Sequence, residues 1–254
     1  MNEKMNEICY KKNPIMEAIV RIDFLNPIGE FVEKIPVSMI SVIKKQFPIL
    51  EPEELISREL RITKGGVKQK ELKNTEWNSY DKNKYKRLCI TNISMSVTHN
   101  KYDKFESFLG DFQSILNALY KYKPDLQIKR FGVRYINNIS FDNKVDPFSW
   151  DLYLNKNLIS IFNIPKDKKL ISRAFHNLEL NCGDYNLRFQ FGMHNPDYPA
   201  PVRKKIFILD LDAYYRGIMN KSDIEDFFPT FHKSIQELFE TSITDEYRKI
   251  LNNE

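Results

Sequence analysis

Cysteine, glycine and histidine are scarce in this chain, and each scarcity removes a class of function. The three cysteines, Cys9, Cys89 and Cys182, are far apart, odd in number and without a CxxC spacing, which argues against a disulfide framework or a zinc knuckle. Cys89 and Cys182 therefore read as small core residues. With only eight glycines there is no Walker loop, no GxGxxG and no GxSxG, so phosphate-cradling loops are excluded. The four histidines, His99, His176, His194 and His232, are isolated in sequence. His176 alternates with Leu178 and Leu180, His232 sits beside Phe231, and neither has a Cys or Ser at a nucleophile-base spacing. No run of about 18 uncharged apolar residues occurs, and residues 1–10 are polar, so a cytoplasmic chain without a membrane span or secretory segment is expected.

What is present is aromatic and basic. The chain holds 18 Phe and 13 Tyr, and is 42% hydrophobic and 29% charged, a composition that folds. Its 254 residues suffice for one large domain or two of ordinary size. The formal net charge of +5 is unevenly spread: from Arg58 to Arg87 ten basic residues face four acidic ones. The stretch from 64 to 87 interleaves Trp77, Tyr80 and Tyr85 with Lys73, Lys82, Lys84, Lys86 and Arg87. That combination tracks a nucleic-acid backbone while stacking bases. The competing reading is a lysine-decorated surface hairpin whose aromatics cover a core edge.

Hydrophobic periodicity orders the chain. Residues 15–24 read as a strand between Asn13-Pro14 and Asn26-Pro27, and Pro36 opens a helix that ends before Pro48. Strand pieces at 58–63 and 67–72 flank Gly65-Gly66, and residues 88–97 alternate with Cys89, Thr91, Ile93, Met95 and Val97 on one face. A helix over 101–121 closes this half. The second half runs through a long strand at 127–141, a helical segment at 147–159, and strands at 172–182, 185–193 and 205–214. It ends in a helix or helix pair over 222–251, with Ser222 and Glu225 as a capping box. An offset of 119 aligns Phe108 with Phe227 and Phe112 with Phe231, and an offset of 113 aligns Val20-Arg21 with Val133-Arg134. The expected fold is α+β: two similar β-α-β-β-β-α halves, 1–124 and 125–254, with antiparallel sheets covered by helices and packed as one unit.

The segments NPIMEAIVRIDF, RFGVRYINNISF, ILDLDAYY and FHKSIQELFETSITDEYRKIL together resemble an uncharacterised, sporadically distributed prokaryotic family of about this length. The resemblance spans nearly the whole chain and is most specific from Phe227 to Arg248. It implies no activity or catalytic residues; the family's patchy distribution implies mobile defence or toxin–antitoxin loci.

A second candidate site comes from strand alternation. Asp210 and Asp212 share one face of ILDLDAYY, about 7 Å apart, as a divalent-cation pair would. No third ligand accompanies them at a fixed spacing, so no metal and no cofactor is expected unless the protein is a metal-dependent enzyme. Arg130 and Arg134 share a face of their strand, as do Arg188 and Gln190 of theirs, so adjacent strands would gather all six polar side chains. Such a face grips a phosphate or a partner's carboxylate, or else forms a cross-strand ion-pair ladder. With no nucleophile in view, the sequence favours a non-enzymatic binding scaffold whose partner is another protein. Nucleic-acid binding through 64–87 is the alternative, and a metal enzyme the third reading.

Overall fold

The computed structural model describes residues 8–63, 66–141 and 146–253. Among these, nine strands form one antiparallel sheet: β1 (Ile15–Phe24), β2 (Ile49–Thr63), β3 (Gly66–Tyr80), β4 (Lys86–Ile90), β5 (Ser94–His99), β6 (Ile128–Ser140), β7 (Ala174–Asn181), β8 (Asn186–Met193) and β9 (Ile206–Met219). The helices are α1 (Val37–Gln46), α2 (Phe105–Tyr122), α3 (Lys156–Ile159), α4 (Lys221–Ser242) and α5 (Asp245–Asn252). Strand order is β2-β3-β4-β5-β1-β6-β9-β8-β7, so β1 and β6 pair near the middle and β2 and β7 are the edges. The α+β class and antiparallel pairing agree with the sequence. A single continuous sheet replaces the separate sheets expected, because β1 and β6 hydrogen-bond directly.

Alternation along the central strands builds the core. Val20 and Ile22 of β1, Phe131 and Val133 of β6, and Leu209 and Leu211 of β9 are fully buried on one face. Helices α2 and α4 cover that face. Phe131 meets Phe112 of α2 at 6.1 Å and Phe228 and Phe231 of α4 at 5.7 and 5.3 Å between ring centres. Ring pairs at such distances add about 0.5–1.5 kcal/mol each beyond the burial of their area. On the opposite face Arg134, Arg188 and Gln190 are half-exposed.

Several expectations are corrected. The alternation over 88–97 spans two strands, not one. Thr91 turns the chain, its Oγ1 accepting from the backbone N–H of Ile93 (3.2 Å) and Ser94 (3.0 Å). The phase flips there, so Leu88, Ile90, Met95 and Val97 face the core while Cys89 lies half-buried on the other face. The first half thus has one strand more than β-α-β-β-β-α. Cys182 is exposed rather than core, in the turn between β7 and β8. The helix expected at 147–159 shrinks to α3, because residues 146–150 turn sharply to bury Trp150; Asp146 Oδ1 accepts from Phe148 N at 3.1 Å. The capping box belongs to Asn220 and Asp223, two residues earlier than Ser222 and Glu225.

Strands β2 and β3 run farther than 58–63 and 67–72. They pair over fifteen residues each, from Ile49↔Tyr80 to Thr63↔Gly66. Pro52 is tolerated in β2 because an edge strand needs no second hydrogen-bonded neighbour. The Gly65-Gly66 turn lies partly outside the described residues.

Candidate functional site

β3 pairs with β4 only from Trp77 to Tyr80. Its base is anchored: Trp77 Nε1 donates to Phe31 O at 2.7 Å and Thr75 Oγ1 to Val32 O at 2.6 Å. Beyond Thr75, among the described residues, the nine residues Gly66–Asn74 pair with β2 alone, so a two-stranded ribbon about 30 Å long leaves the sheet. Isolated two-stranded hairpins are marginal. A cross-strand ion pair, Arg58 Nε to Glu71 Oε1 at 3.0 Å, supports this one. Leu55 and Ile56 are exposed on it, at 42% and 56%. Over residues 58–73 the sequence carries six basic and two acidic residues.

The eight residues expected to form a nucleic-acid surface are not brought together. Lys73 is exposed on the ribbon, seven residues and about 23 Å along β3 from Tyr80. Tyr80, Lys82, Lys84 and Tyr85 lie at the β3–β4 turn, where Lys84 Nζ pairs with Glu51 at 2.6 Å and sits 5.0 Å over the Tyr80 ring. The bond to Glu51 raises the Lys84 ammonium's pKa. Trp77 faces the helical side, its indole N–H already bonded. Lys86 reaches the same side and donates to Asp111 Oδ2 at 2.6 Å. Arg87 turns to the open face, donating to Asn78 Oδ1 at 3.0 and 2.8 Å. Strand alternation sends neighbours to opposite faces, which is what divides the set.

The six sheet-face residues are brought together. Cross-strand partners place Arg134, Asp212 and Arg188 in one row and Ile136, Asp210 and Gln190 in the next. Arg134 donates to both oxygens of Asp210, Nε to Oδ1 at 2.7 Å and Nη2 to Oδ2 at 2.5 Å. Asp212 Oδ2 accepts from Arg188 at 2.9 Å and Arg130 at 3.4 Å. Gly132 makes the second contact possible: the Arg130 guanidinium lies over it, and a Cβ there would come within 3.1 Å of the group. Burial raises the Asp212 pKa, against Arg130, Arg188 and Arg134, which lower it. Arg134 is held charged by its bond to Asp210. Both carboxylates are therefore already neutralised, and a divalent cation would have to displace their guanidinium partners. Among the described residues no group of three or more His, Cys, Asp or Glu is placed to hold a metal. The arrangement is a cross-strand ion ladder with acids and arginines interleaved, not a one-sign groove.

Three buried polar clusters escaped the sequence. Asp111 of α2 lies 3.0 Å from His99 Nε2 as well as taking Lys86, joining α2 to β4 and β5. Burial pushes its pKa up, but the bonds from His99 and Lys86 outweigh that and hold it low. Lys205, fully buried, donates to Ser149 O and, at 2.9 Å, to Ser149 Oγ, among the rings of Tyr153, Trp150 and Phe141 at 4.8, 5.1 and 5.3 Å. Its pKa is lowered by burial. The third pairs His232 of α4 with Tyr135 of β6, hydroxyl to Nδ1 at 3.0 Å, with Phe105 stacked on the imidazole at 4.0 Å. The spacing of Phe228, His232, Ile235 and Phe239 on one helical stripe was the signal for it. No family model matches the chain, and no curated protein matches it.

Proposed function

We propose that this chain is a non-enzymatic nucleic-acid-binding protein that contacts a duplex through the β2–β3 ribbon. The observation that carries this reading is the ribbon itself. Among the described residues its strands pair only with each other for about 30 Å beyond the sheet, and its outer sequence is strongly basic. A two-stranded ribbon fits the major groove, and 30 Å is close to one helical turn of about 34 Å. Basic side chains there would displace counterions from phosphates. The open sheet face adds little to such binding, because its arginines are paired with carboxylates. The test is fluorescence polarisation of labelled DNA and RNA duplexes and single strands across a salt series, with Lys68, Lys70 and Lys73 changed to Glu. Binding should weaken at least tenfold in the variant, and wild-type affinity should fall with salt at a log–log slope of several. Equal binding by both proteins would sink the reading.

A protein-interaction scaffold, as of a mobile defence or toxin–antitoxin locus, is the second reading. β7 favours it: among the described residues this edge strand pairs only with β8, and it exposes Phe175 and Leu178, each at 47%. A partner strand added there would gain backbone hydrogen bonds and two apolar contacts.

We also infer that residues 1–124 and 125–254 are related halves. Support comes from the centre of the sheet, where Val20 pairs with Val133, the same residues that an offset of 113 superposes. A two-fold relation between halves requires that coincidence. Outward from this pair the order is β5, β4, β3, β2 on one side and β9, β8, β7 on the other, so β2 has no counterpart among the described strands.

A further inference from the structure

We infer that this protein associates with itself through β7: two copies join their sheets by antiparallel pairing of β7 with β7 across a two-fold axis at Leu178. β7 is the docking edge of the second reading above, on which this inference rests, and the strand it takes up is that of a second copy. The strand is open to such pairing. Among the described residues it pairs only with β8, and its register runs unbroken from Ala174↔Met193 to Asn181↔Asn186. Its sequence AFHNLELN holds no lysine, arginine or proline, and Glu179 is its one acidic residue. Edge strands are usually blunted by charge, proline or a bulge, and β2 at the other edge is, carrying Glu51, Pro52, Glu53 and Glu54.

The hydrogen-bonding phase shows which groups face outward. Cys182 N donates to Tyr185 O at 2.9 Å, continuing the β7–β8 register by one pair, and His194 N donates to Ile206 O at 3.1 Å on the β9 side of β8. Bonded and non-bonded pairs alternate in an antiparallel ladder, so Leu180, Leu178, His176 and Ala174 bond to β8. The main-chain N–H and C=O of Phe175, Asn177, Glu179 and Asn181 therefore point away from the sheet. A second copy turned about the axis at Leu178 offers the same four residues in reverse. Phe175 then meets Asn181 and Asn177 meets Glu179 on both sides of the axis, which bonds all of the outward groups, about eight hydrogen bonds in all. Moving the axis to Asn177 would set Phe175 against Glu179 and leave Asn181 beyond the second strand.

Side chains agree with that register. Leu178 lies on the core side of the sheet, opposite Phe189, yet is 47% exposed. At the axis it meets Leu178 of the second copy, where the Cα atoms of a non-bonded pair are about 4.5 Å apart. On the open face the Asn177 amide donates to the carboxylate of Glu179 from the second copy, so neither acid faces its like. A hollow beside the start of β7 is lined by Ile161, Ile164, Ile171 and His176, and Leu180 of the second copy comes opposite His176. Ile164, 77% exposed, is an apolar wall for it. A foreign strand would have to reproduce this pattern; a second copy carries it already.

The test is sedimentation velocity of the full chain, freed of nucleic acid, from about 1 to 100 µM, a range suited to small interfaces. Wild type should pass from monomer to dimer across the series. Asn177→Pro removes an outward N–H without touching the β8 ladder, and Leu178→Lys sets two like charges against each other at the axis. Each should weaken dimerisation at least tenfold while keeping the circular dichroism spectrum of wild type. Amide exchange needs no variant: in wild type, Phe175, Asn177, Glu179 and Asn181 should gain protection as concentration rises. A wild type that stays monomeric at the highest concentration, or a dimer that both variants leave intact, would overturn the inference. The scaffold reading falls on a different result, protection of those four amides in the monomer, which would mean that the edge is already covered within the chain.

Discussion

Replacing His232 by Phe should flatten the acid limb of this protein's stability. The imidazole pKa is lowered by burial from its ordinary 6.5 to about 4, so the native state resists the proton that the unfolded chain accepts. Its stabilising contribution is complete above pH 6.5 and is lost as pH falls from 6.5 towards 4. At about 1.4 kcal/mol per pH unit, the loss between pH 7.5 and 4.5 is about 2.5 kcal/mol. No discount for solvent screening applies, because the residue is 6% exposed. Two carboxyls titrate nearby in pH. Asp111, held low, gives up its contribution only as pH falls below its ordinary 3.8. Asp212, raised by burial, acts in the opposite sense and costs stability as pH climbs from 3.8 to its folded value. Both are common to wild type and variant, so the difference between the two isolates His232. Urea unfolding followed by circular dichroism at half-unit steps from pH 7.5 to 4.5 measures it. The variant, which retains a ring to stack on Phe105, should start less stable by about 1–3 kcal/mol for the lost Tyr135 bond and converge on wild type as pH falls. Parallel curves across the window would refute the argument that the native state excludes the imidazolium.

Two further substitutions probe the frame of the site. Gly192→Ala should destabilise the fold by about 3 kcal/mol or more and loosen β7, since a Cβ there would lie 2.0 Å from Ala174 O and 2.8 Å from Phe175 Cα. Amide exchange confined to β7 and β8 would report it, and unchanged protection would contradict it. Lys205→Met should cost about 1–3 kcal/mol, because it keeps the volume among three aromatic rings but leaves Ser149 O unpaired. Lys205→Ala should cost more, through the cavity it opens; equal melting temperatures for the two variants would show that the lost ammonium, not the packing, dominates.

Legibility in the sequence followed the range of the interactions. β1, α1, β6 and α4 were readable because period 2 or 3.6 persisted without interruption, and the six-residue sheet face followed because β6, β8 and β9 are neighbours in one phase. The turn at Thr91 was not, since the residues on either side preserve the alternation while the chain reverses. The inner half of β2 was hidden by Glu51, Glu53, Glu54 and Pro52, which are poor strand formers that an edge position tolerates. The basic-aromatic stretch looked like one surface because closeness in sequence is not closeness in space: alternation and the β3–β4 turn send Trp77 and Lys86 inward, Arg87 to the open face and Lys73 out along the ribbon. His232 bonds to Tyr135 of β6, far away in sequence and beyond any local pattern.

The most direct measurement replaces residues 55–74 with an Asn-Gly turn between the paired Glu54 and Thr75, which keeps the pairing of Trp77–Tyr80 with β4, and compares duplex binding and thermal stability with wild type. The ribbon account expects a melting temperature close to that of wild type, loss of duplex binding by a factor of ten or more, and a wild-type preference for duplex over single strand. A ribbonless protein that melts normally and still binds duplex with the wild-type salt dependence would contradict it.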